Sequence, residues 1–512
     1  MRTISGVFED AVDRAPSKDW LTYEDATYTY EEAHLHILRV AGALAELGVG
    51  RGTMVLATIR NRPEYLFTWF AVTYLGAILT TVNPKSTKDE LTGLVRQVSP
   101  RIVVSDVELR DLVEAGVAAS ASKSTVVMID DLMRSSHHAP PSTARPDDVA
   151  VMIPTSGTTG RSKLVMQTQR AYVMAGEGFP YWLKLTEGDR LMTSLPLFHI
   201  NAPSYSVMGS VAAGAGLILL PRFSGSRFIE WSRRYGATEF NAIGAMIEIL
   251  MRQPERDDDA ENPLRLCYTG PSPPKDRQLA IERRFGFQIV CGYALSESPY
   301  GLIWPHGDRP FGTLGTPRQH PTMGEINEAR VMLPDGRAAE PGEVGELQLK
   351  NPAVMAGYYD MPQETSRVMS DGWLRTGDLV EVNTDGTFTF VGREKEIIRR
   401  RGENLSPLEV EVALEEHPSV AEAAVVGVPS ELTEEEVKAF VLPAAGASIA
   451  LEELRDFVAA RVARFKVPRF LELVEVLPHT PTGRIAKHEL SRERTPAEHD
   501  FDPHLTSKTE PS

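Results

Sequence analysis

The sequence predicts an α/β protein. A large N-terminal domain of layered, parallel-rich sheets and helices is followed by a small β subdomain and a small α+β C-terminal domain. Three observations carry this. Helical and strand-like patterns alternate through residues 1–150, as expected for helices layered on a largely parallel sheet. From Gly324 the texture changes to short strand-like runs separated by turn triplets. A third texture, mixing helical and strand-like runs, starts near Gly392.

Residues 31–47 have helical spacing and stop at Gly48, and residues 64–75 stop in the same way at Gly76. Residues 54–59 and 101–105 read as strands. Residues 135–148, rich in Ser, His, Pro and Ala, read as a loop before the compact apolar run 149–153. In the second region, 330–333, 345–350, 379–383 and 387–391 read as strands. Turn residues separate them, among them Pro334, Asp335 and Gly336, and Thr384, Asp385 and Gly386. In the third, 407–417 and 451–465 read as helices, and 421–428 and 438–443 as strands. Apolar residues thin out from Ser491, so 491–512 is expected to be a disordered tail. The expected domains are therefore 1–392, containing the β subdomain at 324–391, and 393–490.

With 512 residues, 42% hydrophobic and 24% charged, the chain can bury a large core. Its net charge of −16 argues against a nucleic-acid partner. It does not argue against phosphate ligands, which a local loop of backbone N–H groups can hold. Cys267 and Cys291 are the only cysteines, too few for a disulfide framework or a thiolate metal cluster. The apolar stretch 207–220 is broken by Gly209, Ser210, Gly214 and Gly216, short of the ~20 residues that a spanning helix needs. No apolar run follows Arg2 as in a secretory leader. The expectation is a cytoplasmic protein without membrane insertion, monomeric or homodimeric.

One segment stands out chemically. Thr155, Ser156, Gly157, Thr158, Thr159 and Gly160 follow the apolar run, with Arg161, Ser162 and Lys163 behind them. Glycines let backbone N–H groups approach an anion, hydroxyls donate further hydrogen bonds, and a lysine neutralises phosphate charge. The spacing is G-x-x-G-x-x-K, which does not fit the P-loop pattern G-x-x-x-x-G-K-[ST]. On composition alone an ordinary solvated turn is the competing reading.

The segment resembles the nucleotide loop of the adenylate-forming superfamily: acyl-CoA synthetases, adenylation domains and luciferases. That loop usually continues Pro-Lys-Gly, where Ser162, Lys163 and Leu164 stand here. Pro196, Leu197, Phe198 and His199 resemble the family's substrate-gate segment. Gly292, Tyr293, Ala294, Leu295, Ser296 and Glu297 resemble its Y-G-x-T-E motif, with Ala294 for glycine and Ser296 for threonine. Trp373, Leu374, Arg375, Thr376, Gly377 and Asp378 match the ribose motif, and 392–407 match the hinge and thiol-channel segment. The motifs occur in the family's order. The wording at 198–201 and 400–404 is most similar to the crotonobetaine/carnitine-CoA ligase-like branch.

The resemblance implies ATP-dependent activation of a small carboxylic acid to an acyl-adenylate, then transfer to CoA. A carrier-protein thiol or a nitrogen nucleophile as acceptor is the alternative. It implies that Thr155, Ser156, Gly157, Thr158, Thr159, Gly160 and Lys163 grip the triphosphate, and that Glu297 binds Mg²⁺. Gly270, Pro271, Ser272, Tyr293, Ala294 and Ser296 would surround the adenine and phosphates, with Asp378 and Arg393 on the ribose. His199, Asn201, Ile243, Gly244, Gly292 and Ala294 would line the acid site. Lys395 would be the hinge, and Gly402 would let the pantetheine arm pass; Arg399, Arg400 and Arg401 would meet CoA phosphates or form a solvated basic face. The departure lies near the end. The family's P-T-G-K lysine column holds Arg484, with Lys487 three residues on. Lys487 with a local shift, Arg484 itself, or a nucleotide-binding protein with impaired adenylation are the three readings, because arginine and lysine are not interchangeable at a tight site.

Overall fold

The computed structural model describes residues 2–155, 162–270, 272–305, 307–400, 403–430, 435–462, 464–479 and 485–501. Local chemistry explains the early helices. Thr29 and Glu32 form a reciprocal capping box at the start of helix Tyr30–Glu46, satisfying backbone donors that the helix itself leaves unpaired. The helix buries Ala33, Ile37, Val40, Ala41 and Leu44 at three- and four-residue spacing. Thr87 and Glu90 cap helix Lys88–Val98 in the same way. Helix Pro63–Tyr74 is buried along almost its whole length, as a helix does when it is covered on every side.

The first compact unit comprises residues 1–330, 348–375 and 385–388. It holds two large sheets. One orders strands Gly357–Tyr358, Lys163–Thr168, Val149–Thr155, Ile78–Thr81, Met54–Thr58, Ile102–Ser105 and Thr125–Met128. It is parallel from Val149–Thr155 onward and antiparallel at the other edge. The other sheet is nine-stranded, with a parallel centre of Gln288–Leu295, Leu266–Thr269, Glu239–Asn241, Arg190–Thr193, Gly216–Leu219 and Asp19–Tyr23. Parallel strands buried on both faces explain the near-continuous apolar runs. An aromatic cluster of Phe8, Trp20 and Phe70 anchors the core, with centroids of Phe8 at 4.8 Å from both partners.

The second unit comprises 331–347, 376–384 and 389–512, so the chain crosses between units within the expected β subdomain. Its sheet orders Val420–Pro429, Glu435–Pro443, Phe470–Leu473 and His499–Asp500, with helices Pro407–Glu415 and Leu451–Ala459. The last strand corrects the expected tail at 491–512. His499 and Asp500 pair with Leu471 and Phe470. Arg469 is ion-paired to Asp500 at 2.9 Å, and the wholly buried Lys438 lies 2.8 Å from both Glu472 and Glu498. The segment is polar because its carboxylates neutralise buried cations, not because it is loose. Residues 502–512 lie outside the described residues.

Candidate active site

The antiparallel register of Val149–Thr155 and Lys163–Thr168 sets Thr155 against Lys163. The hydroxyl- and glycine-rich segment is therefore the connection of a hairpin. Ser156, Gly157, Thr158, Thr159 and Gly160 lie outside the described residues. Thr155 Oγ1 donates to the Lys163 carbonyl at 3.2 Å. Lys163 Nζ stands 2.7 Å from Glu364 Oε2 and 5.1 Å from the centroid of the Tyr358 ring. The ammonium holds the Glu364 carboxyl below the usual carboxylate range.

Tyr358 joins this corner to the second motif. Its strand pairs with Lys163–Thr168, with Tyr358 opposite Val165, and its hydroxyl donates to Glu297 Oε1 at 2.8 Å. Glu297 lies on the turn between Gln288–Leu295 and Ser298–Ile303. The turn is fastened by Gln167 Nε2 donating to the Ser296 carbonyl at 2.6 Å, and by the Met355 N–H donating to the Glu297 carbonyl at 2.8 Å. Thr155, Lys163, Ser296 and Glu297 are thus brought together by segments far apart in sequence. Sequence reasoning missed Tyr358. Its only signal is the adjacent Gly357 at φ 132, where a Cβ would stand 2.9 Å from Thr365.

Gly270 follows the parallel strand Leu266–Thr269 at its C-terminal end, where open α/β sheets receive ligands. A Cβ on Gly270 would stand 2.2 Å from the Gly292 carbonyl oxygen, so no side chain fits. Tyr293 and Ala294 are half-buried on Gln288–Leu295. Ser272 Oγ donates to the Pro273 carbonyl at 3.1 Å and accepts from the Gly312 N–H at 3.2 Å. Pro271 lies outside the described residues.

The gate segment follows strand Arg190–Thr193. Thr81 Oγ1 donates to the Phe198 carbonyl at 2.8 Å, and the His199 N–H donates to the Pro196 carbonyl at 3.2 Å. The His199 ring packs on Phe198 at 4.4 Å between centroids. Asn241 Nδ2 donates to Asn201 Oδ1 at 2.8 Å, and a π-helical stretch, Ala202–Val207, follows. Ile243 is half-buried against the main core. Gly244 is exposed, and a Cβ there would meet nothing within 4 Å.

The ribose and hinge candidates lie in the second unit. Asp378 is 2% exposed and pairs with Arg393 Nε at 2.9 Å. The Asp378 N–H donates to Thr376 Oγ1 at 3.1 Å, and Gly377 takes φ 69, a turn that favours glycine. Lys395 sits in the short turn Glu394–Glu396; its side chain, Gly402 and Arg484 lie outside the described residues. Arg400 departs from the expected role at CoA phosphates. It is buried, with Nε 2.6 Å from Glu436 Oε2 and Nη1 donating to the carbonyls of Phe465 and Val467 at 2.8 and 2.9 Å. Its donors are occupied inside the unit.

Lys487 Nζ stands 2.7 Å from Glu411 Oε1 and 3.7 Å from Glu396 Oε2. Burial pushes the Glu411 carboxyl up, and the Lys487 ammonium opposes that shift. The Val425 N–H donates to the same Glu411 oxygen at 2.6 Å.

The first unit is a parallel-centred α/β fold, of the kind that receives ligands at the carboxyl ends of its strands. A family model described as AMP-binding enzyme matches residues 8–359, and one described as AMP-binding enzyme C-terminal domain matches 409–484. The chain belongs to the AMP-binding enzymes, and its relatives are AMP-forming acyl-CoA ligases. It is 30% identical over 488 residues to a crotonobetaine/carnitine–CoA ligase of Escherichia fergusonii, covering 90% of this chain and 93% of that one. It is 29% identical over 520 residues to the protein of that name from Salmonella arizonae, covering 95% and 97%. The O-succinylbenzoate coenzyme A synthetase of Bacillus subtilis in complex with AMP superposes with a TM-score of 0.85 at 26% identity, covering 95% and 98%. An anthranilate CoA ligase in complex with anthranoyl-AMP shares the fold, with a TM-score of 0.87 at 23% identity, covering 95% and 96%. Among the described residues no helix is long and apolar enough to cross a membrane, and no cluster of three or more potential metal ligands occurs.

Proposed function

We propose that the chain activates a small carboxylic acid with ATP, forming an acyl-adenylate and pyrophosphate, and then passes the acyl group to CoA. The observation that carries this reading is the Lys163–Tyr358–Glu297 corner. A phosphate-neutralising cation and a half-buried carboxylate are held on neighbouring backbone segments by strand register and three hydrogen bonds.

The corner suits Mg²⁺. Glu297 Oε1 is taken by Tyr358, while Oε2 has no hydrogen-bond partner among the described residues. A hard carboxylate oxygen beside phosphates is the donor such an ion uses while keeping several waters. When bound, the ion supplies charge neutralisation on the triphosphate. The rest falls to the chain. Lys163 exchanges Glu364 for phosphate oxygens, an inexpensive exchange because the pair is partly exposed. Asp378 accepts the ribose hydroxyls, with Arg393 orienting it. Gly270 lets the base approach backbone. The acid's carboxylate then attacks the α-phosphorus in line, pyrophosphate leaves, and positioning provides most of the acceleration.

Arg484 supplies the cation between the carboxylate and the α-phosphate. It occupies the expected column, whereas Lys487 is committed to a buried carboxylate in its own unit. Lys487 fastens Glu411 within its own unit. The domain 393–490 pivots at Lys395 between the two half-reactions, and Gly402 admits the pantetheine arm.

ATP–pyrophosphate exchange with an acid panel, and mass analysis of products formed with CoA, tests this. Acid-dependent exchange and an acyl-CoA product are expected. Exchange without a CoA product points to a carrier thiol or nitrogen acceptor. No exchange with any acid overturns the reading.

A further inference from the structure

A fully buried guanidinium lies directly behind Gly292. Arg318 has 0% exposure, and among the described residues no carboxylate pairs with it. Its Nε donates to the Leu302 carbonyl at 3.0 Å, and its Nη1 to the Tyr205 hydroxyl at 2.8 Å and the Pro299 carbonyl at 3.1 Å. Its Nη2 donates to the Tyr268 hydroxyl. The rings of Trp182, Tyr205 and Tyr268 lie 4.6, 5.0 and 5.5 Å from its Cζ. Neutral oxygens and aromatic faces make the cation tolerable there. They do not cancel its charge, and a buried charge without a counter-ion is rarely kept for stability alone.

The surroundings tie this cation to the acid site. A Cβ on Gly292 would stand 2.8 Å from both Arg318 Nη2 and the Tyr268 hydroxyl. Tyr268 is the Cα partner of Asn241 across the parallel strands, and Asn241 is bonded to Asn201, which immediately precedes the π-helical turn carrying Tyr205. Asn201, Asn241, Tyr205, Tyr268 and Arg318 thus form one polar row between that helix and the sheet. Within it, Asn241 Oδ1 is buried without a hydrogen-bond partner among the described residues.

Resting on the adenylating function above, we propose that Arg318 sets the charge of the acid. The acid carries a hydroxyl, oxo or second carboxylate group at its far end and bears no cation. The trimethylammonium acids crotonobetaine and carnitine are then poor substrates, although relatives carry their names. A unit charge of like sign a few ångströms from a guanidinium at an effective dielectric of about 20 disfavours binding about 100-fold.

The test is ATP–pyrophosphate exchange by the full chain with four-carbon acids. The probes are 4-hydroxybutyrate, succinate, butyrate, γ-butyrobetaine, crotonobetaine and carnitine. The expected result is kcat/KM highest for 4-hydroxybutyrate or succinate, and about 100-fold lower for the trimethylammonium acids. A trimethylammonium acid equal to or better than succinate overturns the proposal, and so does butyrate as the best substrate. No exchange with any acid overturns the adenylating function with it. Arg318→Met should lower the succinate-to-betaine ratio at least 10-fold, while Arg318→Lys, which keeps the charge, should retain it. Equal losses on both acids in the two variants assign Arg318 a structural role and overturn the proposal. If Arg318→Met fails to fold, the wild-type panel and Arg318→Lys decide.

Discussion

Two regions of this chain hold a lysine beside a glutamate at the same distance, and they do so to different ends. Lys163 and Glu364 are 2.7 Å apart with side chains 24% and 31% exposed. Lys487 and Glu411 are also 2.7 Å apart, but Glu411 is 10% exposed and takes a backbone N–H as well. A partly solvated pair is weak and easily exchanged for a phosphate. Separating a cation from a buried carboxylate leaves an uncompensated charge. The two lysines are similarly exposed, at 24% and 20%, so the difference lies in the partner: the Lys163 pair is the more easily opened and the Lys487 pair the more firmly held. Sequence alone gives both residues the same chemistry.

The contrast can be broken at several points. The largest effect is expected at Glu297. Glu297→Gln should reduce ATP–pyrophosphate exchange about 1000-fold with an unchanged melting temperature, since its loss removes charge stabilisation and no core contact. Next comes the pair Arg484→Ala and Lys487→Ala. The first should lower exchange about 100-fold at near-normal stability. The second should destabilise the folded chain by about 3 kcal/mol in urea unfolding, with exchange per folded molecule within about 10-fold of wild type. The opposite ranking would make Lys487 the adenylation cation.

The Lys487→Ala loss should also depend on pH. Burial raises the folded-state pKa of Glu411, so its protonated form is the one the fold prefers. Stability from this group is present below the ordinary glutamate range and is lost as pH rises through the raised value. Without the opposing ammonium the raised value climbs further. The variant should therefore lie closer to wild type at pH 5 than at pH 8 in thermal unfolding. The smallest effect is expected at Tyr358→Phe, which removes one hydrogen bond to Glu297 and should lower exchange about 5- to 10-fold.

Much of the architecture was legible in the sequence, for reasons visible residue by residue. The helical spacing at 31–47 is the helix Tyr30–Glu46, and the strand-like runs at 54–59 and 101–105 are the strands Met54–Thr58 and Ile102–Ser105. Of the hydroxyl- and glycine-rich segment only the flanks are described, where register sets Thr155 against Lys163. What escaped was set by tertiary partners. The strand His499–Asp500 looks like a tail because ion pairs to Arg469 and Lys438, not apolar burial, hold it. Arg400 looks like a surface cation until Glu436 is found beside it. Tyr358 and Arg318 carry no local motif. Their roles exist only once sheet register brings Val165 and Gly292 to them.

The most direct measurement is a crystal structure of the full chain with Mg²⁺ and a non-hydrolysable ATP analogue. The triphosphate is expected against the hairpin that joins Thr155 to Lys163, with the metal on Glu297 and Lys163 drawn from Glu364 to a phosphate oxygen. Nucleotide bound elsewhere, with that hairpin facing solvent and Lys163 still on Glu364, would contradict the account.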